Sequence, residues 1–168
     1  RRDDEPKRER RFLRMHLHGL NLSGEMRLLE PLPGKSNYLI GNDRSRWVRD
    51  VPHYGSVEIA DSVSDARIAL RGNKSRLEYD FVMPPGSDAS DIKLSFEGAE
   101  DMSVDSQGDL VLKTRGGRIR NRRPRSFQGH GDERKGVESR YILKRGGRVG
   151  FRVGRRDRRK PLVIDPVI

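Results

Sequence analysis

Gly34-Lys35-Ser36 has the residue types that close a phosphate-binding loop: backbone amides to cradle phosphate, a lysine to meet its charge and a hydroxyl for magnesium. That chemistry needs a glycine five positions before Gly34 and a helix after Ser36. Position 29 is Leu29, and no helical period follows. His16 and His18 lie two apart on one strand face and could share a metal, but a metal site needs three or four converging ligands. The other histidines, His53 and His130, stand alone in apparent loops. Glu78 and Asp80 also share a strand face, whereas a hydrolytic carboxylate pair must flank a cleft in opposed roles. Asp105-Ser106-Gln107-Gly108-Asp109 sets oxygen ligands around a glycine, yet lacks the alternating acidic run and distal glutamate of a calcium loop. A hairpin turn is the better reading. There is no G-x-S-x-G elbow, and no Ser/His/Asp spacing points to a nucleophile. The chain has no cysteine, so disulfides, thiol catalysis and cysteine-ligated zinc are excluded. The sequence therefore assigns no catalytic, cofactor-binding or metal-ligating residue, and the expectation is a protein that is not an enzyme.

Charge is the stronger signal. The formal net charge is +11, and residues 115–160 hold 18 Lys/Arg against 4 Asp/Glu, while the rest of the chain carries 18 against 21. A local excess of this kind attracts phosphate, sulfate or carboxylate polymers, with binding that weakens steeply as salt rises. The densest run supplies the candidate polyanion-binding residues Arg155, Arg156, Arg158, Arg159 and Lys160. The competing reading is a solvated, arginine-rich surface with no partner. Arg-Gly-Gly occurs at 115–117 and 145–147, but both copies sit at the crests of alternating apolar strands, so turn geometry explains them before RNA binding does.

The elements that must position these residues are strands. Leu13, Met15 and Leu17 alternate with Arg14, His16 and His18, and the same two-residue period recurs along the chain. It returns at Val57 and Ile59, at Leu77, Tyr79, Phe81 and Met83, at Ile92, Leu94 and Phe96, and at Val149, Phe151 and Val153. Between the first strand and Tyr38-Leu39-Ile40, the stretch through Pro31, Pro33 and Gly34 is poorly defined. Gly72-Asn73, the segment 105–109 and the two Gly-Gly pairs read as hairpin turns, with both glycines of each pair at positive φ. No helical spacing extends beyond two turns. The expected fold is all-β: about ten strands in an antiparallel sandwich or two packed β-lobes built from hairpins. Leu, Ile, Val and Phe make up 40 of 168 residues, enough for a modest core. The expected core is Leu77, Tyr79, Phe81, Ile92, Leu94, Phe96, Leu110, Leu112, Tyr141, Leu143, Val149, Phe151, Val163 and Ile164, with Trp47 as a packing anchor. Residues 1–11 are charged throughout and read as a disordered tail or linker ahead of a β-rich domain over 12–168. From the opening Arg1, the expectation is a piece of a longer chain. No apolar run is long enough to span a bilayer.

A set of ordered motifs carries a resemblance: LPGKSNYLIGND at 32–43, Trp47, VPHYGSV at 51–57, RLEYDFVMPPGSD at 76–88, IKLSFEGAE at 92–100, GDLVLKT at 108–114, VGFRVG at 149–154 and PLVIDPVI at 161–168. Together they resemble the N-terminal, non-propeller domain of bacterial SBBP-repeat proteins. The resemblance implies an exported or cell-surface protein in which this domain precedes β-propeller repeats. It supplies no catalytic residue and no cofactor. Two segments depart from the family: 155–160 is more basic, and 63–70 lacks an aromatic-rich strand. The function expected is a non-catalytic structural or adhesion-type domain, extracellular or at the cell surface, with the downstream propeller repeats as partner. The alternative is a polyanion-binding module that uses 115–160 on nucleic acid, acidic polysaccharide or an anionic surface.

Overall fold

A computed structural model describes residues 12–73, 76–129 and 131–166; the charged stretch 1–11 and His130 lie outside the described residues. Fourteen strands follow one another there: β1 (Arg14–His18), β2 (Met26–Tyr38), β3 (Val48–Ala60), β4 (Arg67–Asn73), β5 (Arg76–Met83), β6 (Lys93–Glu97), β7 (Asp101–Val104), β8 (Leu110–Thr114), β9 (Gly117–Asn121), β10 (Arg125–Gln128), β11 (Lys135–Val137), β12 (Ser139–Lys144), β13 (Arg148–Val153) and β14 (Leu162–Asp165). Helical structure among these residues amounts to three single 3-10 turns. The fold is an all-β sandwich of three antiparallel sheets. One sheet runs β1-β6-β13-β12, a larger one β11-β10-β14-β5-β4-β3-β2, and a small one β7-β8-β9. β14, the last strand, lies between β10 and β5. A late segment is thus a central member of the large sheet, and the pairing is non-local.

The two-residue period does what it predicts. Tyr79, Phe81 and Met83 of β5, Ile68 of β4, and Leu162 and Ile164 of β14 bury one face of the large sheet. Leu94, Tyr141, Val149 and Phe151 answer from the four-stranded sheet, and Leu110 and Leu112 from the small one. Phe81 and Phe151 meet across the layers with ring centroids 5.6 Å apart; Tyr79 stands edge-on to Phe81 at 5.7 Å, and Tyr141 lies 5.6 Å from Phe151. Such tilted contacts set the negative ring faces against positive edges and add to the area term. The hydroxyls of Tyr79 and Tyr141 are buried with no hydrogen-bond partner among the described residues, and burial pushes both phenols' pKa up.

Four expected core residues fare differently. Leu77 and Leu143 are 49% and 46% exposed, and Phe96 and Val163 are half-buried. Leu77 pairs with Gly72 near the tip of the β4–β5 hairpin, and Leu143 lies on edge strand β12, two residues before the Arg145-Gly146-Gly147 turn. Both have the right parity but reach past the opposing layer.

β2 and β3 are thirteen residues each, longer than the sequence predicts, and they include the stretch read as poorly defined. Pro31 and Pro33 fit because β2 is the edge of its sheet, where a missing N–H breaks no inner ladder. β3 pairs with β4 only over 56–60, so the remaining residues of β2 and β3 form a two-stranded arm. Trp47 is half-buried at the end of that arm rather than in the core. Arg44 and Arg49 place guanidinium carbons 5.4 and 5.2 Å from its ring, and its Nε1 donates to Gly41 O at 3.1 Å. It organises the arm tip by cation–π contacts.

The second Gly-Gly turn is as expected, with Gly146 and Gly147 at φ 73° and 65°. In the first, only Gly117 has positive φ, because Arg115 and Gly116 make the two-residue loop and Gly117 already pairs with Thr114. The large number of strands has a similar local cause: β10 and β11 hold too few apolar residues to show a period.

Truncating Phe81 to alanine removes the contact that joins the layers. We expect a loss of about 3–5 kcal/mol in denaturant unfolding; a loss below about 1 kcal/mol would show that Phe81 does not bridge a packed interior.

Candidate anion-binding site

The basic run lies in the connection from β13 to β14, and two outside anchors hold it. Gln128 of β10 is buried, and its Nε2 donates toward the carbonyls of Asp157, Lys160 and Pro161 at 2.8, 3.1 and 3.3 Å, two N–H groups sharing three acceptors. Its Oε1 accepts from Asp157 N at 3.0 Å. On the other side Gly86 N donates to Arg158 O at 2.7 Å, and Arg156 Nη2 donates to Ser87 O at 2.7 Å. A buried amide that meets four backbone groups fixes the path of a loop whose own sequence has no reason to be ordered.

The five candidate residues therefore separate. Arg155, Arg158, Arg159 and Lys160 are exposed, whereas Arg156 is half-buried and acts as a clamp on Ser87. Arg159 pairs with Asp157, whose carboxyl is held below the usual aspartate range by that side chain and by the Arg159 N–H. Asp88 is lowered first by the Ser90 backbone N–H and hydroxyl, with Arg158 and Arg156 adding to it.

Two clefts of about 630 Å³ each flank β11 and share Gly136 and Val137. One is lined by Lys135, Arg155, Arg156 and Lys160 together with Glu133 and Asp157. The other is lined by Arg122, Arg123, Arg125 and Arg134, with Asp109 as its carboxylate. Arg134 lies over Phe127 with its guanidinium carbon 4.3 Å from the ring centroid. Ser126 also lines this cleft, and its buried hydroxyl has no partner among the described residues. Sequence reasoning named none of the arginines of this second cleft individually and did not see Gln128. Their approach to the 155–160 loop depends on β10 pairing with β14, a contact no local signal encodes.

The other candidates are spent on structure. His16 Nε2 bonds Glu97 at 3.1 Å and His18 Nε2 bonds Ser95 at 2.8 Å, each across to β6. Asp105 Oδ1 accepts from the N–H groups of Gln107 and Asp109, which closes the turn read from sequence. Gly34-Lys35-Ser36 lies inside β2, with Ser36 bonded to His53 at 2.7 Å. Asp80 pairs with Arg71. Among the described residues no group of three or more His, Asp or Glu could hold a metal ion, and no helix is long and apolar enough to cross a membrane.

One carboxylate carries a cost. Asp165 lies across from Arg125 on β10. Burial raises its pKa, the charges of Asp80 and Glu78 add to the rise, and Arg125 opposes it. The folded chain therefore binds this proton more tightly than the unfolded chain does, so the stabilising contribution is present at acid pH and is lost as pH climbs through the raised value. Asp165→Asn is expected to raise the melting temperature at pH 7, with the gain vanishing as the buffer approaches about pH 4. A gain that is constant across that range would contradict the assignment.

A family model described as Domain of unknown function (DUF7948) matches residues 1–167. No curated protein and no solved structure matches the chain.

Proposed function

The chain belongs to the DUF7948 family, a domain of unknown function, and on that premise we propose that it is a non-catalytic structural module that holds a basic surface toward an anionic polymer. The observation that carries this reading is the clamp on the 154–161 connection. Gln128 and the Gly86-Ser87 backbone fix a run of arginines beside two clefts lined by further arginines. Cations held in place before binding lose little conformational freedom when an anion arrives, so each contact retains more of its electrostatic gain. Among the described residues, His16, His18, Asp80 and Asp105 are engaged in a turn and in cross-strand bonds, which supports a role without catalysis.

The finer part of the proposal is placement. The ordered motifs from 32–43 to 161–168 support a domain that precedes SBBP propeller repeats in an exported or surface protein. Protease added to intact cells then cuts the domain; a domain left uncut until lysis would remove that part.

Binding itself is read on a heparin column. Replacing Arg155, Arg158, Arg159 and Lys160 together by glutamine should move elution to clearly lower salt. The slope of log affinity against log salt should become shallower by about one for each cation that no longer neutralises an anionic group. Thermal stability should change little, because the four side chains are exposed. Co-elution of variant and parent would end the proposal for this loop.

A further inference from the structure

The sandwich has a second basic surface, separate from the 155–160 run. On β12 and β13 the register sets Arg140 opposite Arg152 and Lys144 opposite Arg148. All four are exposed, while their strand neighbours Tyr141, Val149 and Phe151 are buried, so the charges stand on the outer face of the four-stranded sheet. Lys93 of β6 joins them, paired with Gly150 across the strands. Gly150 leaves room for the Lys144 stem, whose Cε lies 3.2 Å from where a Cβ would stand. None of these five cations has a carboxylate within ion-pair distance among the described residues.

Like charges directly across an antiparallel pair repel, and ordinary sheets avoid or neutralise them. Two such pairs in one hairpin, with no counter-charge beside them, form a surface that an anionic chain would stabilise. From this geometry we infer that the outer face of the β1-β6-β13-β12 sheet is a docking surface for a linear acidic polysaccharide bearing sulfate or carboxylate groups. The two like-charge pairs lie roughly 13 Å apart along the strands, at about 3.3 Å per residue. An extended polyanion lying along β12 and β13 therefore meets cations repeatedly.

The face also selects among polyanions. Its β6, β13 and β12 strands carry no aromatic side chain, since Phe96, Tyr141 and Phe151 point the other way, and the two imidazoles on the β1 side, His16 and His18, are bonded to Glu97 and Ser95, so unpaired bases laid along β12 and β13 find nothing to stack on. Four strands at about 4.8 Å spacing make a slab roughly 15 Å wide before side chains are counted, too broad for the ~12 Å major groove, so duplex DNA meets this face through its phosphates alone. Ile142 between the two pairs is only partly exposed, and a basic patch without an inserting apolar group does not hold a bilayer stably.

The inference is independent of the 155–160 loop, and the test keeps the two apart. In the full chain, Arg140, Arg148 and Arg152 are changed to glutamine in one variant, and the loop residues in another. Affinity is measured for a heparin oligosaccharide, a polyuronate oligosaccharide, duplex and single-stranded DNA of equal charge, and vesicles rich in anionic lipid. With the loop substitutions also present, so that this face alone is left to bind, the face substitutions should weaken oligosaccharide binding at least about tenfold further. The face variant should also melt higher than the parent without ligand, the difference shrinking as salt is added. Loss of oligosaccharide binding only in the loop variant would overturn the inference and leave the loop proposal standing. DNA or vesicles bound as tightly as the oligosaccharides would overturn it through the identity of the partner.

Discussion

Phe81 and Phe151 meet across the two large layers, and the placement of the basic strands and of the loop before β14 follows from that contact. Each ring comes from a strand whose alternate residues point away from the core, so the apolar side must be shared between sheets or not buried at all. With Tyr79 and Tyr141 beside them, the two phenylalanines fill the middle of the sandwich. Burying each such side chain contributes about 1.5–3 kcal/mol, and only the pairing of distant segments makes that burial possible. β14 is the clearest instance. Leu162 and Ile164 are buried in the same core, and their burial places β14 against β10. β10 in turn carries Gln128 into reach of the loop that precedes β14. Dry packing thus sets the geometry of a wet, charged rim.

The same packing distributes the basic third of the sequence to three destinations. Arginines of β9 go to the small sheet, where Arg120 meets Asp105 and Asp109 at 2.8 and 3.2 Å and is largely neutralised. Those around β10 and β11 line the paired clefts beside the 155–160 loop. Those of β12 and β13 face outward from the four-stranded sheet in like-charge pairs. A net charge counted along the chain treats these groups as one. The cations of β12 and β13 have no ion pair among the described residues, and a partner is expected where charge is held in place and uncompensated.

Much of the fold was legible because strand alternation is a local signal. Tyr79, Phe81, Ile92, Leu94, Leu110, Leu112, Tyr141, Val149, Phe151 and Ile164 could be assigned to the interior from their neighbours alone, and all are buried. Leu77 and Leu143 could not be separated from them, since parity does not say where the opposing layer ends. Pro31 and Pro33 obscured β2, because a proline forbidden in a central strand is allowed at an edge, and edge status is a property of the whole sheet. The site was half-visible for the same reason. Arg155, Arg158, Arg159 and Lys160 announce themselves by composition. Gln128 lies about thirty residues away with nothing unusual around it, and Arg156 reads like its neighbours although its guanidinium is used on Ser87.

The central claim is that a rigid interior preforms this basic surface before any ligand arrives. Amide hydrogen exchange of the unliganded chain measures that directly. The account predicts that the slowest amides lie in β5, β13 and β14, and that the N–H groups of Gly86 and Asp157, bonded to Arg158 O and Gln128 Oε1, exchange far more slowly than an open loop would. Exchange across 154–161 at the rate of an unstructured chain, while the strands stay protected, would mean that the cations are not held in place and would contradict it.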